Sequence, residues 1–445
     1  MKKLWQKNAE LDKAVEAFTV GKDRDLDVLL AKYDVLGSLA HGAMLQAVNL
    51  ITEKEWSSLR DALREIYRQI EQNDFTIDEG VEDIHSQIEL LLTERAGEAG
   101  KKIHTGRSRN DQVLLDIKLF TRARLADIVT QASGLFEVLI QLSDKHKDAL
   151  LPGYTHLQVA MPSSFGLWFG AYAESLIDDL RQLQTAYTIV NKNPLGSAAG
   201  YGSSFPIDRQ MTTELLGFDD LDYNVVYAQM GRGRVERIVS QALSSLAETL
   251  GRLAMDITLY LSQNFAFISF PDSVTTGSSI MPHKKNPDVF EIVRARCNRL
   301  KALPNEIMLI QANLPSGYHR DLQLIKERFL PALFDAQECL NILTHVLPHI
   351  QIRENILEEE KYTYLFTVDA VNKLIKQGIP FREAYRQVGK RVESGAFVKP
   401  NALVHTHIGS KDNLPNRRLA EIWRQVRDGF PFKKVAEAEA KLLSG

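Results

Sequence analysis

The 445-residue chain has only two cysteines, Cys297 and Cys339, each inside a helix-like stretch. That excludes a disulfide framework and a thiolate metal cage, and leaves two small buried side chains as the simplest reading. The chain also lacks a surplus of positive charge. Its formal net charge is −3, so no global basic field gathers nucleic acid or an anionic membrane, and any cationic site has to be local. No uninterrupted apolar run reaches the roughly 18 residues of a membrane helix. The opening residues Met1–Asn8 lack the apolar core of a signal peptide, which makes a cytoplasmic address the expectation. Strand-rich stretches, internal repeats and low-complexity tracts are missing as well.

What is present is helix. Residues are 44% hydrophobic and 25% charged, enough apolar material for a large core in a chain too long for one domain. From Asn110 to Lys147 there is one glycine and no proline, and Leu114, Leu115, Ile117, Leu125, Ile128, Val129, Leu135, Leu139 and Leu142 recur at helical spacing. Further long helices are expected over Ser163–Val190 and Arg234–Gln263, after Asn286-Pro287 with a kink or break at Pro304, and over Leu322–Leu347. Five such helices predict an elongated bundle. Leu246–Leu261 is apolar around more than one face, so partners are needed on several sides, and helices packing between identical subunits meet that need. Shorter helices are expected in the first 110 residues and in the last 95, which divides the chain into 1–110, 111–350 and 351–445.

Three polar segments interrupt the long helices. His104-Thr105-Gly106-Arg107-Ser108-Arg109-Asn110-Asp111-Gln112 offers arginine forks that match carboxylates, although Ser, Asn and Asp equally serve as helix caps. Gly153-Tyr154-Thr155-His156-Leu157-Gln158 sets a histidine between polar neighbours in a loop, which suits acid–base work but is a weak signal alone. Gly277-Ser278-Ser279-Ile280-Met281-Pro282-His283-Lys284-Lys285-Asn286-Pro287-Asp288 ends in what reads as an Asn286 N-cap with Pro287 in the first turn. A cap explains neither its flexible Gly-Ser-Ser nor its paired lysines, which suit a mobile lid and a carboxylate or carbanion partner. Converging polar loops of this kind are what a site needs.

The third segment resembles the signature of the fumarase/aspartase superfamily, in which Gly277, Ser278, Met281, Lys284 and Asn286 fall on every fixed position. The first segment, Gly153–Gln158, Leu314–Gln323, Glu82-Asp83-Ile84-His85 and Phe381–Ala384 are similar to the argininosuccinate lyase family within it. His283, Met161 and Tyr385 depart from that family's usual residues, and His283 leans towards adenylosuccinate lyases. The resemblance implies an all-α fold of three mostly helical domains, with the long helices of four subunits packed together and active sites where subunits meet. It implies β-elimination of fumarate from an N-succinyl substrate through an aci-carboxylate carbanion.

By the same resemblance Ser278 is the base and His156 the acid, or the reverse, with Glu291 orienting His156 and Lys284 stabilising negative charge. Ser108, Arg109, Asn110, Thr155 and Asn286 are implied ligands of the succinyl carboxylates. Tyr318, Gln323 and Lys326 are implied for the arginine-like end, and His85 for a further place in the site. No metal and no cofactor are expected: the eleven histidines show no ligand spacing, His405-Thr406-His407 included. The rival readings are adenylosuccinate lyase, a non-catalytic structural protein on the same scaffold, and a helical nucleic-acid binder.

Overall fold

Periodic leucine and isoleucine in this chain become helices. A computed structural model describes residues 12–400 and 403–444; the Met1–Asn8 stretch lies outside them. The α-helices of eight residues or more are α1 (Lys13–Val20), α2 (Ala31–Ala47), α3 (Glu53–Glu71), α4 (Ile84–Ala96), α5 (Arg109–Lys145), α6 (Phe165–Val190) and α7 (Arg234–Leu261). They continue as α8 (Asp288–Ile310), α9 (Leu324–Val346), α10 (Thr367–Lys376), α11 (Phe381–Glu393), α12 (Asn416–Arg427) and α13 (Phe432–Ser444). Strands are short and paired two by two. The fold is all-α.

Helix α5 starts at a capping box: the Ser108 hydroxyl accepts from the Asn110 N–H, and Asp111 accepts from the Ser108 N–H at 2.8 Å. At about 1.5 Å per residue it is roughly 55 Å long. It packs on α6 and α9, α6 packs on α7, α7 on α8, and α8 on α9, which closes a ring of five helices. The expected apolar positions are the core of this bundle: Leu114, Leu125, Ile128, Leu135 and Leu139 of α5 and Leu243, Leu246, Leu250, Leu253 and Ile257 of α7 are all buried. Each contributes on the order of 1.5–3 kcal/mol of transfer free energy. By length and composition α5 is apolar enough to cross a membrane, but half of its most apolar window is buried inside the protein, as a core helix requires.

Several expectations change in detail. Helix α8 runs through Pro304 without a break, because Leu300, Leu303 and Ile307 on either side of it are held in the core. Its N-cap is Pro287 rather than Asn286; Asn286 instead pairs with Thr276 in a short antiparallel bridge. The Gly153–Gln158 segment is a hairpin, not a loop, with β1 (Leu150–Thr155) and β2 (Gln158–Ser164) antiparallel. A bulge lies beside Gly153, where a Cβ would stand 2.7 Å from the Met161 carbonyl. The unexpected α13 closes the molecule by packing on α2.

Candidate active site

The start of α5 lies beside the start of α4 and the turn before α9. There His85, Arg109, Asn110, Tyr318, Gln323 and Lys326 line one cavity of about 130 Å³. Each is set by local structure. Asp83 caps α4, its carboxylate accepting from the Ser86 N–H at 2.8 Å, and so fixes the turn that carries His85. Arg109, in the first turn of α5, reaches Asp83 at 3.0 Å, Glu82 at 3.3 Å and the Ser86 hydroxyl at 2.6 Å. Gln323 donates to the Thr19 and Val20 carbonyls at 3.0 and 3.2 Å, and Arg320 to the Thr19 carbonyl at 2.9 Å. These are last-turn carbonyls of α1, which need outside donors.

Sequence reasoning missed Asp23, Asp27 and Arg232, which also line the cavity. The two acids are four residues apart on a single helical turn, and both reach the buried Lys326 ammonium, at 2.8 and 2.7 Å. Burial pushes Asp23 up to about 6 against the pull of Lys326. Burial works against the charge of Lys326 itself, but Asp27 and Asp23 outweigh it and raise its pKa. Arg232 pairs with Glu236 and donates to the Leu322 carbonyl at 3.0 Å, which pins the turn that carries Gln323. The i, i+4 spacing of Asp23 and Asp27 was the available signal for the acids, and the flanking Gly231 and Gly233 for the arginine. Four acids and five basic residues, His85 included, in one small cavity suit a ligand that carries charges of both signs.

The remaining candidates stand elsewhere on the chain. Thr155 and His156 are exposed at the tip of the β1–β2 hairpin. His156 and Leu157 both have left-handed backbones, with φ of 54° and 55°. The twist matches a tight hairpin turn, but non-glycine residues hold it at a cost of order 1–2 kcal/mol each. Ser278 and Lys284 lie on the loop between Thr276-Gly277 and Lys285-Asn286, and Asn286 ends it. The Ser278 hydroxyl accepts from the N–H groups of Ile280 and Met281 at 3.4 and 3.2 Å, and Asn286 donates to the Gly277 carbonyl at 3.4 Å. Glu291 is exposed on α8, 4.0 Å from Arg294. Among the described residues, no hydrogen bond or ion pair within the chain joins His156 to Glu291, or either polar segment to the cavity. Ser108 is engaged as the cap of α5.

Comparison with known proteins bears on this arrangement. The profile of a family described as "Lyase" matches residues 6–301. An argininosuccinate lyase of Parabacteroides distasonis is 59% identical over 443 residues, covering 100% of this chain and 99% of its own. The chain belongs to the argininosuccinate lyase family. More distant members of that family are also similar: the argininosuccinate lyase of Thermotoga neapolitana is 38% identical, covering 87% of this chain and 98% of its own. Solved structures share the fold. An EDDS lyase in complex with formate aligns with a TM-score of 0.77 at 22% identity, covering 98% of this chain and 95% of its own. A class II fumarase from Schistosoma mansoni aligns with a TM-score of 0.71 at 17% identity, covering 96% and 97%. Membership of the argininosuccinate lyase family makes this chain a lyase of the fumarase/aspartase superfamily.

Proposed function

We propose that this enzyme cleaves argininosuccinate reversibly to L-arginine and fumarate, in the cytoplasm and in the direction of arginine synthesis. The observation that carries the reading is the meeting of His85, Arg109, Asn110, Tyr318, Gln323 and Lys326 on one cavity with charges of both signs. Argininosuccinate needs such a place, with cations for its carboxylates and Asp23 and Asp27 for its ammonium and guanidinium groups.

In the proposed reaction a base takes a proton from the carbon next to one succinyl carboxylate. The electron pair spreads into that carboxylate as an aci-carboxylate, then forms the double bond as the carbon–nitrogen bond breaks. An acid protonates the leaving guanidino nitrogen. Ser278 and His156 are the base and acid, in either order, with Glu291 orienting His156. The carbon acid is weak, so stabilising the dianion is the largest catalytic contribution. That is the role given to Lys284 and Asn286, with Ser108, Arg109, Asn110 and Thr155 binding the carboxylates.

Among the described residues of one chain no hydrogen bond or ion pair joins His156 or Ser278 to the cavity, so the reading calls for a homotetramer in which the cavity of one subunit receives the hairpin tip and the Ser278 loop of others. Apolar side chains at those tips support it: Leu157 is 73% exposed and Ile280 83%. So does a groove of about 660 Å³ between α8 and α9, lined by Val289, Ile292, Val293 and Ile342 with Cys339 and His345. The divisions 1–110, 111–350 and 351–445 are proposed as the domains of each subunit.

Fumarate release followed by ultraviolet absorbance, with argininosuccinate and adenylosuccinate in parallel, tests the substrate. Fumarate from argininosuccinate alone is expected; fumarate from adenylosuccinate alone would make His283 the better guide. Ser278→Ala and His156→Asn should each lower turnover by at least about a hundredfold with folding intact, and near-parental turnover removes that residue from the mechanism.

A further inference from the structure

His85 is 7% exposed, yet it lines the cavity. Behind its ring two other helices each bring a carboxylate. Nδ1 is hydrogen-bonded to the Asp34 carboxylate of α2, and Asp116 of α5 stands 3.7 Å from the same nitrogen. Both acids are buried, at 2% and 1% exposure. The second oxygen of Asp34 accepts from the Ser38 hydroxyl at 3.2 Å, and that hydroxyl accepts from Arg107 at 3.0 Å. The other ring nitrogen, Nε2, has no hydrogen-bond partner among the described residues. The three groups are close enough together to suggest a cation site, but the direct bond from Nδ1 to Asp34 occupies the nitrogen that an ion would need.

We propose that Asp34 is a positioning residue that holds His85 as an imidazolium, so that the cavity presents a fixed cationic N–H donor to a carboxylate of the substrate. This rests on the lyase reading given above. The bond to Asp34 places a proton on Nδ1, and an ion pair out of water favours the second proton on Nε2. The charged groups around the ring are Asp34 and Asp116 behind it, Asp83 and Asp27 beside the start of α4, Arg107 and His104 on the segment leading into α5, and Arg109 in its first turn. Burial disfavours the charge on His85, but Asp34, then Asp116 and Asp83, outweigh it and push the ring up to about 9. Burial and the charge of Asp34 push Asp116 well above the usual carboxylate range. Asp34 is held low despite its burial, chiefly by His85. A cationic His85 cannot be the base of the elimination; its part is to bind charge.

The test is succinate binding to the intact enzyme by calorimetry from pH 6.5 to 8.5, which needs no turnover. The parent should bind with affinity flat within about twofold. Asp34→Asn should lose roughly tenfold across that range as its His85 becomes neutral. A parent affinity that itself falls with a midpoint near 6.5, an Asp34→Asn curve parallel to the parent, or no succinate binding to the parent overturns the proposal. His85→Asn provides a second reading if Asp34→Asn does not fold. It should weaken binding by the same factor at both ends of the range, and a factor that vanishes at pH 8.5 would show a neutral His85 and overturn it. Absence of fumarate from argininosuccinate would sink the substrate reading separately, leaving these curves to decide the charge of His85.

Discussion

Arg109 reaches three protein groups, Glu82, Asp83 and the Ser86 hydroxyl, and still lines the cavity. Its guanidinium is therefore oriented before any ligand arrives, which a flexible ammonium cannot copy. Arg109→Lys should raise KM about ten- to a hundredfold, the worth of a charge-assisted hydrogen bond, with a smaller change in kcat. An unchanged KM would remove Arg109 from carboxylate binding. His85 gives a pH-dependent prediction about stability. Its folded pKa of about 9 stands above its ordinary 6.5, so the stabilisation is complete below about 6.5 and is lost as pH rises through about 9. The gap in thermal midpoint between the parent and His85→Asn should narrow over that window, and a gap that widens would reverse the assigned charge.

The catalytic candidates ride on short segments, and the long helices decide where those segments point. The β1–β2 hairpin enters α6 at the Ser164 cap, whose hydroxyl accepts from the Leu167 N–H at 3.1 Å. Two residues on, Gly166 lies against the end of α5, its carbonyl accepting from the Ser143 hydroxyl at 2.6 Å. A Cβ there would stand 2.6 Å from Lys147 Cα and 2.8 Å from the Ser143 carbonyl, both backbone atoms that cannot turn away. Gly166→Ala should cost about 1–3 kcal/mol by overpacking, read as a lower urea midpoint. An unchanged midpoint would mean that α5 and α6 separate without cost. The helices here direct the hairpin tip as well as forming the core.

Across the whole molecule, the core of one chain is complete while its proposed chemistry is not. The ring of five helices buries Leu246, Leu250 and Ile257, yet Ile292 on the outer face of α8 is 57% exposed beside the apolar α8–α9 groove. Light scattering should report a tetramer. Ile292→Asp should shift it towards smaller species and lower activity in parallel, because desolvating a lone carboxylate in an apolar contact is unfavourable. A monomer that retains full activity would overturn the shared-site proposal.

The helices were legible in the sequence because apolar side chains at 3.6-residue spacing can be buried only one way, and α5, α6, α7 and α9 begin and end within a few residues of expectation. The superfamily was legible because Gly277, Ser278, Met281, Lys284 and Asn286 stand at fixed spacing on one segment. Other features depend on approach through space. The His156-Leu157 turn became a hairpin tip because Leu150–Thr155 met Gln158–Ser164. Asp34, His85 and Asp116 are 51 and 31 residues apart in sequence and share one buried contact only because α2, α4 and α5 pack together. Spacing along a chain encodes what one element does; the charge of a buried group depends on its neighbours, and the tertiary structure decides those.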